Sequence, residues 1–355
     1  MFDLNSLLRP HIRKLKPYSS ARDEFSGSAS VFLDANENPF GSVTGANVNR
    51  YPDPYQRELK EKIAGIKRVE HDQIFLGNGS DEAIDLLYRA FCNPGVDEVI
   101  TMPPTYGMYQ VSAGLNDVAV KEVPLIPEDF RINVDGVLGA VAENTKMIFV
   151  CSPNNPTGNA MRRESVEGLL RGFDGLVVID EAYIDFSPQR SFVDRLSEFP
   201  NLIVLQTFSK AWGMASLRLG MAFASPEIIS VLNQIKPPYN IGGPTQEQAL
   251  TGISRLNRKE TIVKEILKQR SYLYDKLREL DLVEKIYPSD ANFILVKVPE
   301  ARKVYDYLVK SGIIVRDRSQ IALCVDCLRI TVGTEEENKL LLKALKAYEP
   351  SAVSI

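Results

Sequence analysis

Four short polar clusters in this 355-residue chain combine residue types that do chemistry, and each follows an apolar run. In Thr207-Phe208-Ser209-Lys210-Ala211-Trp212-Gly213, which ends near Arg218, a lysine stands beside the chain's only tryptophan. Most lysines are solvated, but one in a dry pocket loses its proton more easily and becomes an amine nucleophile able to form a Schiff base. In Asp180-Glu181-Ala182-Tyr183 an acid closes the apolar run Leu176 to Ile179. An isolated buried carboxylate is costly, so Asp180 is a candidate partner for a buried cation, whereas Glu181 reads as solvated. Gly77-Asn78-Gly79-Ser80-Asp81-Glu82 is a glycine turn feeding a helix. Its unpaired N–H groups and dipole suit a phosphate, and an ordinary cap by Ser80 or Asp81 is the competing reading. Ser152-Pro153-Asn154-Asn155-Pro156-Thr157-Gly158 has the residues of a tight turn.

The elements that must hold these clusters follow from hydrophobic periodicity. From about residue 74 to 225, short apolar runs alternate with amphipathic stretches, the pattern of βαβ units and a mostly parallel sheet. Strands are expected at Ile74 to Leu76, Glu98 to Thr101, Val118 to Val123, Lys146 to Cys151, Leu176 to Ile179, Leu202 to Thr207 and Leu219 to Ala222. Asp81 to Phe91 and Arg163 to Phe173 each gather their apolar residues on one face and read as crossover helices. All four polar clusters then lie at the C-terminal ends of parallel strands, where open α/β sheets place ligands in a crevice.

Past Pro237-Pro238 and Gly242-Gly243-Pro244 a helical pattern runs from Gln246 to Leu280 with a break near Gly252. Strands at Val283 to Tyr287, Asn292 to Val298 and Leu328 to Val332 follow, with helices at Ala301 to Lys310 and Glu335 to Tyr348. The fold class is therefore α/β: a large domain with a mostly parallel sheet plus a smaller α+β domain. Residues 1–40 are expected to form an N-terminal arm or part of the small domain, 41–245 the large domain, 246–280 a bridging helix and 281–355 the small domain.

Composition removes other classes. With 44% hydrophobic and 25% charged residues the chain reads as globular. A net charge of -4, with 42 basic residues mixed among 46 acidic ones, argues against nucleic acid. The apolar runs fall far short of a membrane span, and charges interrupt the N-terminus where a secretory h-region would lie, so a cytoplasmic protein is expected. Cys324 and Cys327 have C-x-x-C spacing without a second pair or a nearby histidine, and read as structural thiols rather than a metal site. Neither His11 nor His71 accompanies a nucleophile signature, and no P-loop or dinucleotide fingerprint occurs.

A lysine for an aldehyde, an acid for a pyridinium nitrogen, and a helix N-terminus with arginine and serine for a phosphate are together the groups that pyridoxal 5'-phosphate needs. The sequence resembles the class I/II, fold-type I pyridoxal-phosphate aminotransferases, and within them the histidinol-phosphate aminotransferase family. The matching motifs run from Leu15-Lys16-Pro17-Tyr18 and Leu33-Asp34-Ala35-Asn36-Glu37-Asn38-Pro39, through Arg50-Tyr51-Pro52-Asp53-Pro54-Tyr55 and Pro103-Pro104-Thr105-Tyr106-Gly107-Met108-Tyr109, to Leu328-Arg329-Ile330-Thr331-Val332-Gly333.

The resemblance implies a role for each matched residue. Lys210 would bind the cofactor and later shuttle a proton, and Asp180 would keep the ring nitrogen protonated. Asn155 and Tyr183 would hydrogen-bond the phenolic oxygen, and Tyr106 would stack on the ring. The N–H groups of Ser80 and Asp81, with Ser209 and Arg218, would hold the phosphate, with Tyr55 reaching it from a second subunit, which requires a homodimer. Arg329, Arg316 and Tyr18 would bind the substrate's anionic end, while Arg318 reads as a solvated loop arginine. The implied reaction transfers the amino group of L-histidinol phosphate to 2-oxoglutarate, giving imidazole acetol phosphate and glutamate in histidine biosynthesis. Rivals are an aminotransferase for aromatic or other amino acids, a threonine-phosphate decarboxylase-like enzyme, and a cofactor-binding regulatory domain.

Overall fold

A computed structural model describes residues 2–16 and 29–349, so Tyr18 lies outside the described residues. Seven strands form the larger sheet: β1 (Ile74–Asn78), β2 (Glu98–Thr101), β3 (Ala119–Glu122), β4 (Thr145–Cys151), β5 (Leu176–Asp180), β6 (Leu202–Thr207) and β7 (Leu219–Phe223). Their order is β1-β7-β6-β5-β4-β2-β3, parallel throughout except for β7, which runs antiparallel to both β1 and β6.

The near-continuous apolar character of β5 and β6 has a direct cause, because every residue of both strands is buried and both faces of the sheet are covered. Successive side chains alternate between two cores. Leu76, Ile148, Val150, Val177, Ile179 and Val204 face one, where Val166 and Leu169 of the helix Arg163–Gly172 pack. Phe75, Phe149, Val178 and Leu205 face the other, against the helices Gly79–Phe91 and Pro226–Ile235. Leu8 and Ile12 of the N-terminal segment join this second core, so residues 2–16 pack on the large sheet rather than on the smaller one.

The smaller sheet is antiparallel, ordered β10-β11-β9-β8, from β8 (Lys285–Ile286), β9 (Phe293–Lys297), β10 (Arg316–Asp317) and β11 (Cys327–Thr331). With the helices Ala301–Lys310 and Glu335–Lys346 and the end of Leu256–Leu277 it has its own core, including Leu273, Val304, Leu308 and Leu341. The two sheets meet at two places: Tyr287, Leu295, Cys324 and Cys327 join the first core of the larger sheet, and Tyr183, Phe186 and Ala211 cluster with Val263, Ala291 and Phe293. Among the described residues no helix is long and apolar enough to cross a membrane.

The long helical pattern is two helices, Gly243–Ile253 and Leu256–Leu277, parted at Ser254 and Arg255 just past the expected break. The two-residue strand β10 and the helices Arg57–Lys67 and Val134–Gly139 escape the periodicity reading. The first helix is mostly charged, the second holds two glycines, and β10 is too short to show alternation.

Gly220 of β7 controls where the helix Gly79–Phe91 begins, since a Cβ on it would lie 2.2 Å from the carbonyl carbon of Gly79 and from the amide nitrogen of Ser80. Those are backbone atoms that cannot rotate aside. Gly220→Ala is therefore expected to destabilise the fold by about 1–3 kcal/mol, the usual cost of overpacking, measured by urea denaturation. An unchanged midpoint would mean that the close approach does not set the helix start.

Candidate active site

The four polar clusters do lie at the C-terminal ends of β1, β4, β5 and β6, and together they line one cleft of about 140 Å³. Tyr106, Asn155, Tyr183 and Lys210 also line an adjoining cavity of about 740 Å³, to which the smaller sheet contributes Arg316, Arg318 and Arg329.

At the end of β1, Gly79 has φ +71°, and a Cβ there would stand 2.8 Å from an Arg218 Nη2. Glycine takes that turn without strain and leaves the arginine its place. Asn78, at the cap position, makes no capping hydrogen bond. Neither Ser80 nor Asp81 caps the helix either, because Asp81 accepts from the Tyr106 hydroxyl at 3.1 Å and pairs with Arg218 at 3.4 Å. The helix start, with Gly79, Ser80 and Asp81, lines the cleft uncapped beside Arg218 and Ser209. That is the donor set a phosphate requires.

Asp180, buried at the end of β5, accepts from the Tyr109 hydroxyl at 2.8 Å and from the Ala182 N–H at 3.1 Å. Burial outweighs these hydrogen bonds and pushes its pKa up to about 6. Its partner within the chain is thus a phenol, and a cation supplied by a ligand would favour the ionised form. Tyr109 was not singled out from sequence, although it ends the aromatic motif starting at Pro103; it stacks at 4.7 Å on Phe149 of β4, which fixes its hydroxyl.

Two expectations need correction. Glu181 is not solvated: it is 2% exposed and accepts hydrogen bonds from the Ser191 hydroxyl, the Phe192 N–H and the Gln206 amide. Burial nevertheless wins over those bonds and raises its pKa to about 7. It ties β6 to the segment after β5, something no local pattern encodes. Lys210, in turn, is not sealed in a dry pocket but exposed to the cleft, because β6 ends one turn before it and the loop rises toward solvent. Its pKa is still lowered, first by loss of water to the walls and then by Arg329, with Asp180 opposing. The Lys210 amine stands 5.6 Å from the centre of the buried Tyr183 ring.

Tyr106 meets Tyr109 edge-on at 5.6 Å, and Tyr183 meets Phe293 edge-on at 5.1 Å. Asn155 accepts a short hydrogen bond from Arg329 through its side-chain oxygen, which leaves its amide N–H₂ to donate elsewhere. Arg329 of β11 lies opposite Arg316 of β10 in register. Arg318, expected to be a solvated loop residue, is half-buried and lines the cavity with them. The signal for it was available: residues two apart on an extended segment point the same way. Tyr55 does not line the cleft of its own chain; its ring lies under Arg57 at 5.1 Å and Lys236 at 5.6 Å. Cys324 and Cys327 are free thiols buried in the core, and among the described residues no group of His, Cys, Asp and Glu is set to hold a metal.

The chain is similar to known aminotransferases along nearly its whole length. The family model for aminotransferases of class I and II matches residues 28–345. The chain is 57% identical over 347 residues to the histidinol-phosphate aminotransferase of Cytophaga hutchinsonii, covering 98% of this chain and 99% of that one. To the enzyme of the same name from Bacteroides thetaiotaomicron it is 54% identical, covering 98% and 100%. Among solved structures, histidinol-phosphate aminotransferase from Sinorhizobium meliloti in complex with pyridoxal-5'-phosphate superposes with TM-score 0.78 at 25% identity, covering 88% of each chain.

The two buried acids make stability fall as pH rises. The folded protein holds the Glu181 proton up to about pH 7, whereas the unfolded chain releases it near the ordinary 4.5, so burial costs nothing below 4.5 and its full amount above 7. Between those limits wild type is expected to lose on the order of 3 kcal/mol more than Glu181→Gln, which has no charge to bury. Urea unfolding of both proteins across pH 4.5 to 8 reads this difference, and parallel curves would show that Glu181 does not titrate as a buried acid.

Proposed function

We propose, from the premise that the chain belongs to the class I and II aminotransferase family, that it transfers the amino group of L-histidinol phosphate to 2-oxoglutarate with pyridoxal 5'-phosphate as cofactor. The products are imidazole acetol phosphate and glutamate, and the reaction belongs to histidine biosynthesis. The observation that carries the reading is a lysine shared by a cleft that holds a buried acid and an adjoining cavity lined by three arginines.

The residues present fit the cofactor: an uncapped helix start with Arg218 for a phosphate, a buried carboxylate with room for a cation, and an accessible amine. When bound, pyridoxal phosphate supplies an aldehyde for amines and a ring that takes up the electron pair left on the substrate's Cα. Lys210 would hold that aldehyde through its amine and would serve as the general base at the substrate's Cα. A lowered pKa suits it to both tasks. Asp180 holds the proton on the ring nitrogen. Tyr183 and the amide of Asn155 would hydrogen-bond the phenolic oxygen, and Tyr106 would stack on the ring. The backbone N–H groups of Ser80 and Asp81, with Ser209 and Arg218, would hold the phosphate. Arg329 and Arg316, with Tyr18, take the anion at the substrate's other end, first a phosphate and then the carboxylate of 2-oxoglutarate.

The same reading assigns the cofactor to residues 41–245 and the substrate arginines to 281–355, with 246–280 bridging them. It makes the protein a cytoplasmic homodimer in which Tyr55 completes the phosphate site of the other subunit. Exposed apolar side chains at Leu33, Phe40 and Val43 support a partner surface on the segment that precedes Tyr55 in sequence.

Half-reactions with histidinol phosphate, phenylalanine, aspartate and threonine phosphate test the substrate. Histidinol phosphate is expected to give the highest kcat/KM by at least tenfold among these, and preferred turnover of phenylalanine would overturn the assignment. Lys210→Ala should lose the visible absorbance of the lysine-bound cofactor and nearly all turnover while keeping the fold by circular dichroism. For the dimer, Tyr55→Phe subunits mixed with Lys210→Ala subunits put both defects in one site of the mixed dimer and leave the other site intact. Recovery of a site with wild-type cofactor affinity is expected, and no recovery in mixed dimers confirmed by mass would place Tyr55 in its own subunit's site.

A further inference from the structure

We infer that Arg318 is a third guanidinium of the anion site and that it tunes the cavity to a phosphate dianion over a carboxylate. The inference rests on the proposed reaction and extends it to a residue that the family pattern did not supply. Arg316 and Arg318 flank Asp317, and the Arg318 N–H donates to the Cys327 carbonyl at 2.8 Å, so the β10–β11 pairing continues one residue past the strand's end. That extended backbone turns Arg316 and Arg318 to the cavity and Asp317 away, toward Arg302 at 3.8 Å.

The Arg318 side chain has no hydrogen bond or ion pair among the described residues, and its Nε is fully buried without a partner. The Nε of Arg329 is in the same state. A half-buried guanidinium left unpaired is expensive, and here it stands beside two like charges. Burial and then Arg316 lower the Arg318 pKa, as expected for a cation short of an anion. Among the described residues the one carboxylate lining this cavity is Glu122, exposed on the edge strand β3. The missing negative charge must come from the ligand.

Charge decides which ligand is favoured. A phosphate monoester carries about -1.5 to -2 near neutral pH and offers three acceptor oxygens, enough for three guanidinium groups, whereas a carboxylate has a single charge and two oxygens. Two arginines satisfy a carboxylate, so the third matters chiefly for the phosphate.

Holoenzyme half-reactions of Arg318→Gln and Arg318→Lys with histidinol phosphate and with glutamate test this. Losing one charge-assisted hydrogen bond, worth about 1.5–3 kcal/mol, should lower kcat/KM for histidinol phosphate about ten- to hundredfold, mainly through KM. The glutamate half-reaction should fall about threefold or less, and Arg318→Lys should recover part of the loss. The pH titration of the visible cofactor absorbance should keep its wild-type midpoint, which a general disturbance around Tyr183 would move. Equal losses on both substrates, or a loss under twofold on histidinol phosphate, would overturn the proposal. Should wild type not use histidinol phosphate, the reaction assignment fails by itself, and inorganic phosphate as inhibitor of the glutamate half-reaction then decides. A tenfold weaker inhibition in Arg318→Gln supports the anion role, and unchanged inhibition removes it.

Discussion

The site depends on keeping a carboxylate out of water at the end of a fully buried strand. Asp180 can be buried there because Tyr109 and the Ala182 N–H share its oxygens, and even so its charged form is disfavoured. The same desolvation favours pairing with a cation, since an ion pair in a low-dielectric setting is far stronger than in water. The surroundings serve that one placement. Phe149 of β4 orients Tyr109, and Glu181 anchors the chain just after Asp180 to β6 and to residues 191–192. Beneath this lies a further set of charges, in which Lys259 pairs with Asp185 at 2.5 Å and also sits over Trp212, two residues from Lys210. Lys259 thus links the turn after β5 to the loop that carries Lys210.

The second organising feature is that the site straddles two sheets. The larger one presents the phosphate-type cradle, the acid and the lysine; the smaller one presents cations on the opposite wall. The link is polar at the cavity, through Arg329 and Asn155, and apolar behind it, through Phe293 against Tyr183. The Arg329–Asn155 hydrogen bond thus joins a strand of the smaller sheet directly to the turn that follows β4. This arrangement lets one wall vary in its cations, and so in substrate, while the other keeps the chemistry unchanged.

Most of the larger sheet was legible from residues alone. β2 and β6 have the expected ends, and the other strands differ by one or two residues, because strands buried on both faces show as continuous apolar runs between turn residues. The charged helix Arg57–Lys67 and the two-residue β10 were not legible, since one owes its place to packing against its neighbours and the other to pairing with β11. The four polar clusters were found because they interrupt apolar runs at the ends where parallel strands deliver ligands.

What the sequence by itself determined is the inventory and its approximate order along the sheet: Lys210, Asp180, the glycine turn before Ser80, and the arginines near the C-terminus. Which of those residues are truly desolvated was decided by tertiary structure. Glu181, one residue from Asp180, looks solvated in the chain and is buried because Ser191 and Gln206 close over it. Lys210 looks enclosed and is open to the cleft. Arg318 looks like a loop arginine and is a half-buried cation without a counter-charge among the described residues, because β10 pairs with β11 and turns it inward. Burial depends on what arrives from distant parts of the chain, and local spacing carries no record of that.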